Sequence, residues 1–476
     1  MIEVRKELYV GIYDRREYTM KENKERIDKS MKRRDFLKIG AVAGIGATLS
    51  DLKPPGSPRK IRTQFREFVA PRIDPVRIGY VGVGGMGTQH VRNLLNIEGV
   101  EIRAVCDIIP ERVERAQKLV MEAGQPKPEG YTRGEFDFKR LCERGDLDLV
   151  YTATPWQWHV PVCVAAMEAG KHAATEVPGA VTIDECWQLV ETAERTNKHC
   201  IMMENCCYDR VEMQVFYMVR QGLFGEVIHG EAGYLHDLRA LKFDFESRGE
   251  AVWRTAHSVA RNGNLYPTHG LGPVAQCLDI NRGDSFAYLV SMSSKSLGLH
   301  LFAVKKYGPD HQWTKQKFSL GDINVSLIRT KRGRTITLYH DCSSPRPYSR
   351  INIVQGTKGI ARKWPDEIHI EEMSPPHEWE PLEKYREQYE HPLWKELSER
   401  SRGAGHGGMD FIEDYRLIKC LREGKPLDMD VYDAAAWSAV SGLSEISVAN
   451  KSKPVDFPDF TRGAWRKRQP LGIVTA

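Results

Sequence analysis

The stretch "VRIGYVGVGGMG", residues 76–87, decides the fold. A short apolar run rich in β-branched residues leads straight into Gly82-x-Gly84-x-x-Gly87, and the amphipathic "TQHVRNLLNI" follows. Gly82 permits a tight turn, Gly84 lets the backbone approach a pyrophosphate, and Gly87 lets a helix pack close to the strand. Gly85 and Met86 lie in the same turn, where a helix N-terminus offers unpaired N–H groups to phosphate. The next strand, "VEIRAVCD", ends at Asp107, 20 positions after Gly87. A carboxylate there binds ribose hydroxyls and repels a 2′-phosphate, so NAD is expected over NADP.

Working outward, "DLDLVYTAT" (146–154), "KHAATEV" (171–177) and "KHCIMMEN" (198–205) read as further buried strands. Between them lie "HVPVCVAAMEAG", helical and ending at Gly170, and "TIDECWQLVETAERTN", a helix with Thr182 as its N-cap. Alternating strands and helices predict an α/β doubly wound parallel sheet. Loops at the C-terminal ends of such strands line the cofactor crevice. That places Trp156, Gln157, Trp158, His159, Glu176, Val177, Glu204 and Asn205 there. Each aromatic alone suits loop packing equally well; as a cluster they point to cofactor contact.

After residue 207 the pattern changes. "GEVIHGEAGYLHDL", "SFAYLVSMSS", "INVSLIRTKRGRTITLYHDC" and "SRINIVQGTKGIARKW" alternate in polarity like strands, while 407–424 and 433–452 have helical spacing. The expected organisation is a dinucleotide-binding domain over 76–207 and, over 208–476, an α+β substrate domain with a mostly antiparallel open sheet.

The N-terminus reads as an address. "MKRRDFLKIGAVAGIGATLS" (31–50) places Arg33-Arg34 before Phe-Leu-Lys and a weakly apolar run, the shape of a twin-arginine export signal. The run is too short to span a bilayer, and no cysteine follows it to carry a lipid, so no stable membrane anchor is expected. Met31 is a natural start, residues 1–30 read as an upstream segment, and 51–75 as a linker. The expected partner is the twin-arginine machinery and the expected location periplasmic or extracellular.

Charge agrees with that division. Residues 1–74 hold 18 Lys/Arg and 11 Asp/Glu, leaving −2 for the rest of a +5 chain. The folded body thus lacks the basic excess that nucleic-acid binding needs. Ten cysteines without paired spacing indicate neither a disulfide framework nor a zinc site, so no metal is expected. A homo-oligomer is compatible with the sequence.

The glycine loop, the "GKHAATEVP" segment and the following sheet resemble the Gfo/Idh/MocA oxidoreductase family. More closely, "TPWQWHVPVCVAAMEAGKHAATEVP", "HCIMMENCCYDR", "NGNLYPTHGLGPVAQCLDINRGD" and "GHGGMDFIEDYRL" resemble the NAD-dependent α-N-acetylgalactosaminidase family of glycoside hydrolases. The resemblance covers nearly the whole chain after residue 75. The oxidoreductases carry Glu-Lys-Pro and Asp-x-x-His; here Glu176-Val177-Pro178 lacks the lysine and Tyr266-Pro267-Thr268-His269 replaces the aspartate. Both departures are the glycosidase pattern.

That resemblance implies hydrolysis of terminal N-acetylgalactosaminides with one tightly held, recycled NAD per chain. The sugar would be oxidised, would eliminate its aglycone, add water, and be reduced again, outside the usual two-carboxylate route. It implies His269 as acid or base, Tyr208 as a candidate base, and Tyr266 beside sugar or nicotinamide. Arg254, Tyr234 and Tyr348 would contact substrate. His406 lies in a loop before a helix, suited equally to closing over the site or to helix entry. Two other readings stand beside it: a sugar oxidoreductase with an external acceptor, and a catalytically silent sugar-binding protein.

Overall fold

The computed structural model describes residues 63–244 and 250–475, with only the backbone of 250–252. Residues 1–50, read from the sequence as an upstream segment and a twin-arginine signal, lie outside these residues. Residues 63–75, expected as linker, are held on the folded body. Phe65 stacks on Tyr432 at 5.0 Å, the Arg66 N–H donates to the Tyr432 hydroxyl at 2.9 Å, and Ile73 N–H donates to the Leu421 carbonyl at 3.0 Å.

The chain then enters β1 (Val76–Val81), whose residues are all buried except Arg77. Arg77 is tied by its backbone and guanidinium to Asp148 at 2.7–2.9 Å. With β2 (Val100–Cys106), β3 (Glu129–Tyr131), β4 (Leu149–Thr152), β5 (His172–Thr175) and β6 (Cys200–Met202) it forms a parallel sheet of order β3-β2-β1-β4-β5-β6. The order reverses between β1 and β4, which opens a crevice at the strands' C-terminal ends. Thr182 caps the helix Ile183–Thr196 through a reciprocal bond with Glu185, as the sequence predicts.

Among the described residues the second sheet has nine strands, in the order β14 (Glu380–Pro381), β13 (Glu367–Ile370), β12 (Gly359–Arg362), β11 (Ile353–Gly356), β7 (Val227–Leu235), β10 (Thr335–Asp341), β9 (Asn324–Thr330), β8 (Phe286–Ser293) and β15 (Val455–Asp456). Its centre is β7 (Val227–Leu235) beside β10 (Thr335–Asp341). These two run parallel, an exception to the otherwise antiparallel sheet that alternation alone does not disclose. The helix Thr268–Cys277 lies on β7 so closely that a Cβ at Gly270 would meet the Gly233 nitrogen at 2.4 Å. That contact fixes the helix start, and with it His269, over the sheet.

The helices Met409–Glu423 and Val431–Ala449 follow all but the last strand of the second sheet in sequence, yet pack back on the first half. The former meets the helix Gly85–Leu95, and the latter joins Ile183–Thr196 to β8 (Phe286–Ser293). The two halves therefore share a core, and the crevice lies on their boundary. On the far side of the large sheet Tyr288, Met292 and Leu327 are exposed. Among the described residues no helix is long and apolar enough to cross a membrane.

Candidate active site

The glycine loop has the form a dinucleotide needs. Gly82 holds φ +86°, and a Cβ there would sit 2.8 Å from the Ala153 carbonyl oxygen. A Cβ on Gly87 would fall 1.9 Å from the Gly82 carbonyl oxygen, so loop and helix touch backbone to backbone. On the other side, a Cβ at Gly84 would meet only the Arg112 guanidinium at 3.5 Å, and one at Gly85 nothing within 4 Å. That open side is the N-terminus of the helix Gly85–Leu95 and includes Met86. Buried Asp107 closes the end of β2, accepts the Ile109 N–H at 3.0 Å and lies 3.8 Å from Arg112. Burial pushes its carboxyl up, against the pull of Arg112. These residues fit an NAD pyrophosphate and ribose. Gly84→Val should fold, since its new atoms enter open space, yet lose bound NAD and activity together. Cofactor content and turnover measured on the same sample check this, and full activity without NAD would contradict it.

The loops after β4 and β5 divide in role. Trp156 is buried and stacks on Tyr266 of the other half, centroids 5.3 Å apart and 20° between planes. Gln157 is exposed at the crevice rim. Trp158 packs against Phe136 and Phe138, the loop-packing alternative. His159, expected at the cofactor, is buried between the loops. Its Nδ1 lies 2.7 Å from the Pro178 carbonyl and its Nε2 2.8 Å from the Thr154 carbonyl. Burial lowers its pKa. The ring sits between the two loops, and its N–H donates to one of the two carbonyls.

Glu176 is committed to a partner. Its Oε1 lies 2.7 Å from His90 Nε2, and its Oε2 accepts the Val177 N–H at 3.1 Å. His90, 1% exposed, places Nδ1 2.8 Å from Asp414 on the helix Met409–Glu423. The Asn93 amide and the Tyr151 hydroxyl also donate to Asp414. Although burial opposes charge on His90, the Asp414 and Glu176 carboxylates raise its pKa well above the usual value. Glu176 is held below its usual value: burial, the largest single effect, would raise it, and the hydrogen bond and charge of His90 together with the Val177 N–H outweigh that. Asp414 is instead pushed up, because for this fully buried group burial exceeds the pull of His90. The geometry of an imidazole between two carboxylates supports a protonated His90.

The second half supplies another chain of groups. Glu204 Oε1 lies 2.6 Å from His269 Nδ1, and His269 Nε2 lies 3.2 Å from the Tyr266 hydroxyl. The Tyr234 ring stands 4.6 Å from Tyr266 and 5.4 Å from His269, and Tyr348 borders Tyr234 at 6.2 Å. The Arg254 guanidinium lies 4.3 Å from the Trp253 centroid and 5.9 Å from that of Tyr266. Burial pushes the Tyr266 and Tyr234 phenols well up, so both keep their protons. Asn205 donates to Asp410 at 2.7 Å, and Asp410 lies 2.8 Å from His406 at the exposed rim. Donor atoms of Glu204, Cys206 and His269 lie within 4.8 Å of one another. A metal holds its ligands about 3.3 Å apart, whereas Glu204 and His269 bond directly, which makes them an acid–imidazole pair.

Tyr208 does not join this group. Its hydroxyl donates to Asp428 at 3.0 Å, in a buried network where Arg416 also binds Asp428 at 2.7 Å. Burial pushes its phenol well up. The expectation of Tyr208 as a base is therefore corrected to that of a packed anchor.

Residues 76–204 match the family described as "Oxidoreductase family, NAD-binding Rossmann fold", and residues 208–467 match "Glycosyl hydrolase 109, C-terminal domain". A "Glycosyl hydrolase family 109 protein" of Shewanella pealeana is 48% identical over 93% of this chain and 99% of its own. Another, of Shewanella sp. strain W3-18-1, is 49% identical over 86% and 90%. The chain belongs to the glycosyl hydrolase 109 family. Among solved structures this family member is similar to a levoglucosan dehydrogenase in complex with NADH and levoglucosan. That likeness has a TM-score of 0.63 at 19% identity and covers 80% of this chain and 99% of that one. An inositol dehydrogenase homolog of Azotobacter vinelandii in complex with NAD⁺ gives a TM-score of 0.61 at 19% identity, covering 83% and 100%. These neighbours show the fold.

In this glycosyl hydrolase 109 chain, sequence reasoning left His90, Asp414 and Lys242 unassigned. His90 carried a faint signal, an imidazole one turn beyond Gly87 on a helix that faces phosphate. Asp414 and Lys242 carried none.

Proposed function

We propose that the protein hydrolyses terminal N-acetylgalactosaminides with one retained NAD per chain. The observation that carries this reading is the distribution of proton carriers. On the cofactor side Val177 is apolar and buried, and Glu176 is locked to His90. Across the crevice Glu204, His269 and Tyr266 form one hydrogen-bonded line. Bound NAD supplies a reversible oxidation of the sugar and ends unchanged. The Glu204 carboxylate fixes the His269 ring and leaves Nε2 to take or return a proton at a sugar hydroxyl. Tyr266, protonated, donates to the same region, while Arg254, Tyr234 and Tyr348 position the ring. Family membership supports a glycosidase, and the match to an NAD-binding fold supports the cofactor.

Incubation with an aryl N-acetylgalactosaminide, both anomers in turn and no added cofactor, tests the reading. Phenol release without net NADH supports it. NADH accumulation would identify an oxidoreductase, and neither product a silent sugar-binding protein. NAD that survives repeated desalting supports retention.

We also propose export by the twin-arginine route, supported by Arg33-Arg34 and the run behind them. Changing both arginines to lysine should leave folded, active protein in the cytoplasm. Unchanged export of that variant, followed by fractionation, would overturn the assignment.

A further inference from the structure

A recess borders Tyr266. Its walls include Trp156, Tyr266, Leu238, Leu265, Leu320 and Lys242. Lys242 ends the short helix Arg239–Lys242 that follows β7. It is 4% exposed, and among the described residues its amine has no hydrogen bond or ion pair. The carboxylates nearest in influence are employed elsewhere. Asp341 accepts the Ser343 and Ser344 N–H groups, and Asp322 those of Leu297 and Gly298. Arg254 opposes a charge on Lys242, and burial, the larger effect, lowers its pKa.

An amine so little exposed and without an acceptor among the described residues marks a place where a ligand completes the pairing. We propose that this recess receives the acetamido group of the substrate sugar, with Lys242 Nζ donating to the acetamido carbonyl oxygen. The proposal rests on the N-acetylgalactosaminide reading above and names the part of the site that selects it.

Three observations favour this group. First, the recess offers about 20 Å³ to water-sized groups, enough for the tip of an acetamido group and too little for a pyranose ring. Second, Leu238, Leu265, Leu320 and Trp156 offer apolar surface to a methyl, while Lys242, beside Arg254, His257, Ser258 and His340 in the same lining, offers an N–H to a carbonyl oxygen. Third, it shares Tyr266 with the proton line to His269, so a substituent next to the hydroxyl handled there reaches it. An N–H donor is present whether the amine is charged or neutral, so the contact does not depend on its titration. A plain 2-hydroxyl would leave both the amine and the leucines unmet.

The test compares N-acetylgalactosamine with galactose, NAD present throughout, by quenching of tryptophan fluorescence. Lys242→Met keeps the length of the side chain and removes the donor. It should weaken N-acetylgalactosamine roughly 10–100-fold and leave galactose unchanged. Lys242→Gln, which restores an N–H, should recover most of the loss. If Lys242→Met does not fold, Leu320→Phe, which fills the recess without touching a charge, must erase the same preference. Equal weakening of both sugars, no change, or no preference in the wild-type protein would each overturn the subsite. Loss of the preference in a protein that cleaves no aryl glycoside would uphold the subsite and reject hydrolysis. Cleavage with the preference intact in Lys242→Met would do the reverse.

Discussion

His269→Ala should lower turnover of an aryl N-acetylgalactosaminide roughly 10²–10⁴-fold, the range for loss of a positioned acid or base. His269 sits at the start of a helix pressed on β7, its Nδ1 on Glu204 at 2.6 Å and its Nε2 3.2 Å from Tyr266. Alanine removes the imidazole that links Glu204 to Tyr266. It also leaves Glu204, 0% exposed and with its Oε2 already unpartnered, without its imidazole. Some loss of stability is therefore expected, and His269→Gln, which still offers an N–H, separates the effects. The glutamine variant should regain stability but not turnover, and NAD content should stay near one per chain in both. Turnover near that of the wild-type protein in His269→Ala would move the proton chemistry to another residue.

The largest effect on folding is expected at His90. His90→Ala should destabilise the protein by about 3–5 kcal/mol, the cost of leaving buried charge without its partner. The ring is 1% exposed and touches Glu176 on one side and Asp414 on the other. The sign with pH follows from the two shifts. His90 is raised, so its contribution is complete below its usual value of 6.5 and fades as pH rises through the raised value. Glu176 is lowered, so its contribution is complete above its usual value of 4.5 and fades as pH falls through the lowered value. The gap between wild type and His90→Ala should be widest between those usual values and narrow on both sides. Urea midpoints across pH measure it. Adding Glu176→Gln to His90→Ala should recover part of the loss, since it neutralises the stranded carboxylate. An unchanged midpoint in His90→Ala would show that the imidazole is uncharged in the folded protein.

What could be read from the sequence was local. The β1–glycine–helix unit was legible because each glycine answers a backbone demand, and Thr182 because a capping box is written in adjacent residues. His269 and Tyr266 stood out through the "YPTH" segment. Contacts across the chain were not legible. Asp414 meets His90 across 324 positions, and no periodicity encodes which helix returns to cover the cofactor half. Tyr208 shows the opposite failure: a suggestive neighbourhood in sequence, while its hydroxyl turns toward Asp428. Lys242 carried no signal in the sequence, because burial of an amine is a property of the packed fold. The parallel pairing of β7 with β10 escaped for the same reason, since alternation gives a strand its faces but not its neighbour.

All ten cysteines are free and buried. Burial pushes the thiols of Cys142, Cys277 and Cys420 up to about 12 and that of Cys342 to about 11. Thiol reagents attack the thiolate, so the native protein should resist alkylation and become reactive only as the chain opens. The sulfur atoms then act as position-coded timers. Cys106, Cys142, Cys163, Cys186 and Cys200 lie in the cofactor half, and Cys277 and Cys342 in or against the large sheet. Mapping which peptides are alkylated first under mild denaturant would show whether the halves open together, as their shared core requires, or one before the other.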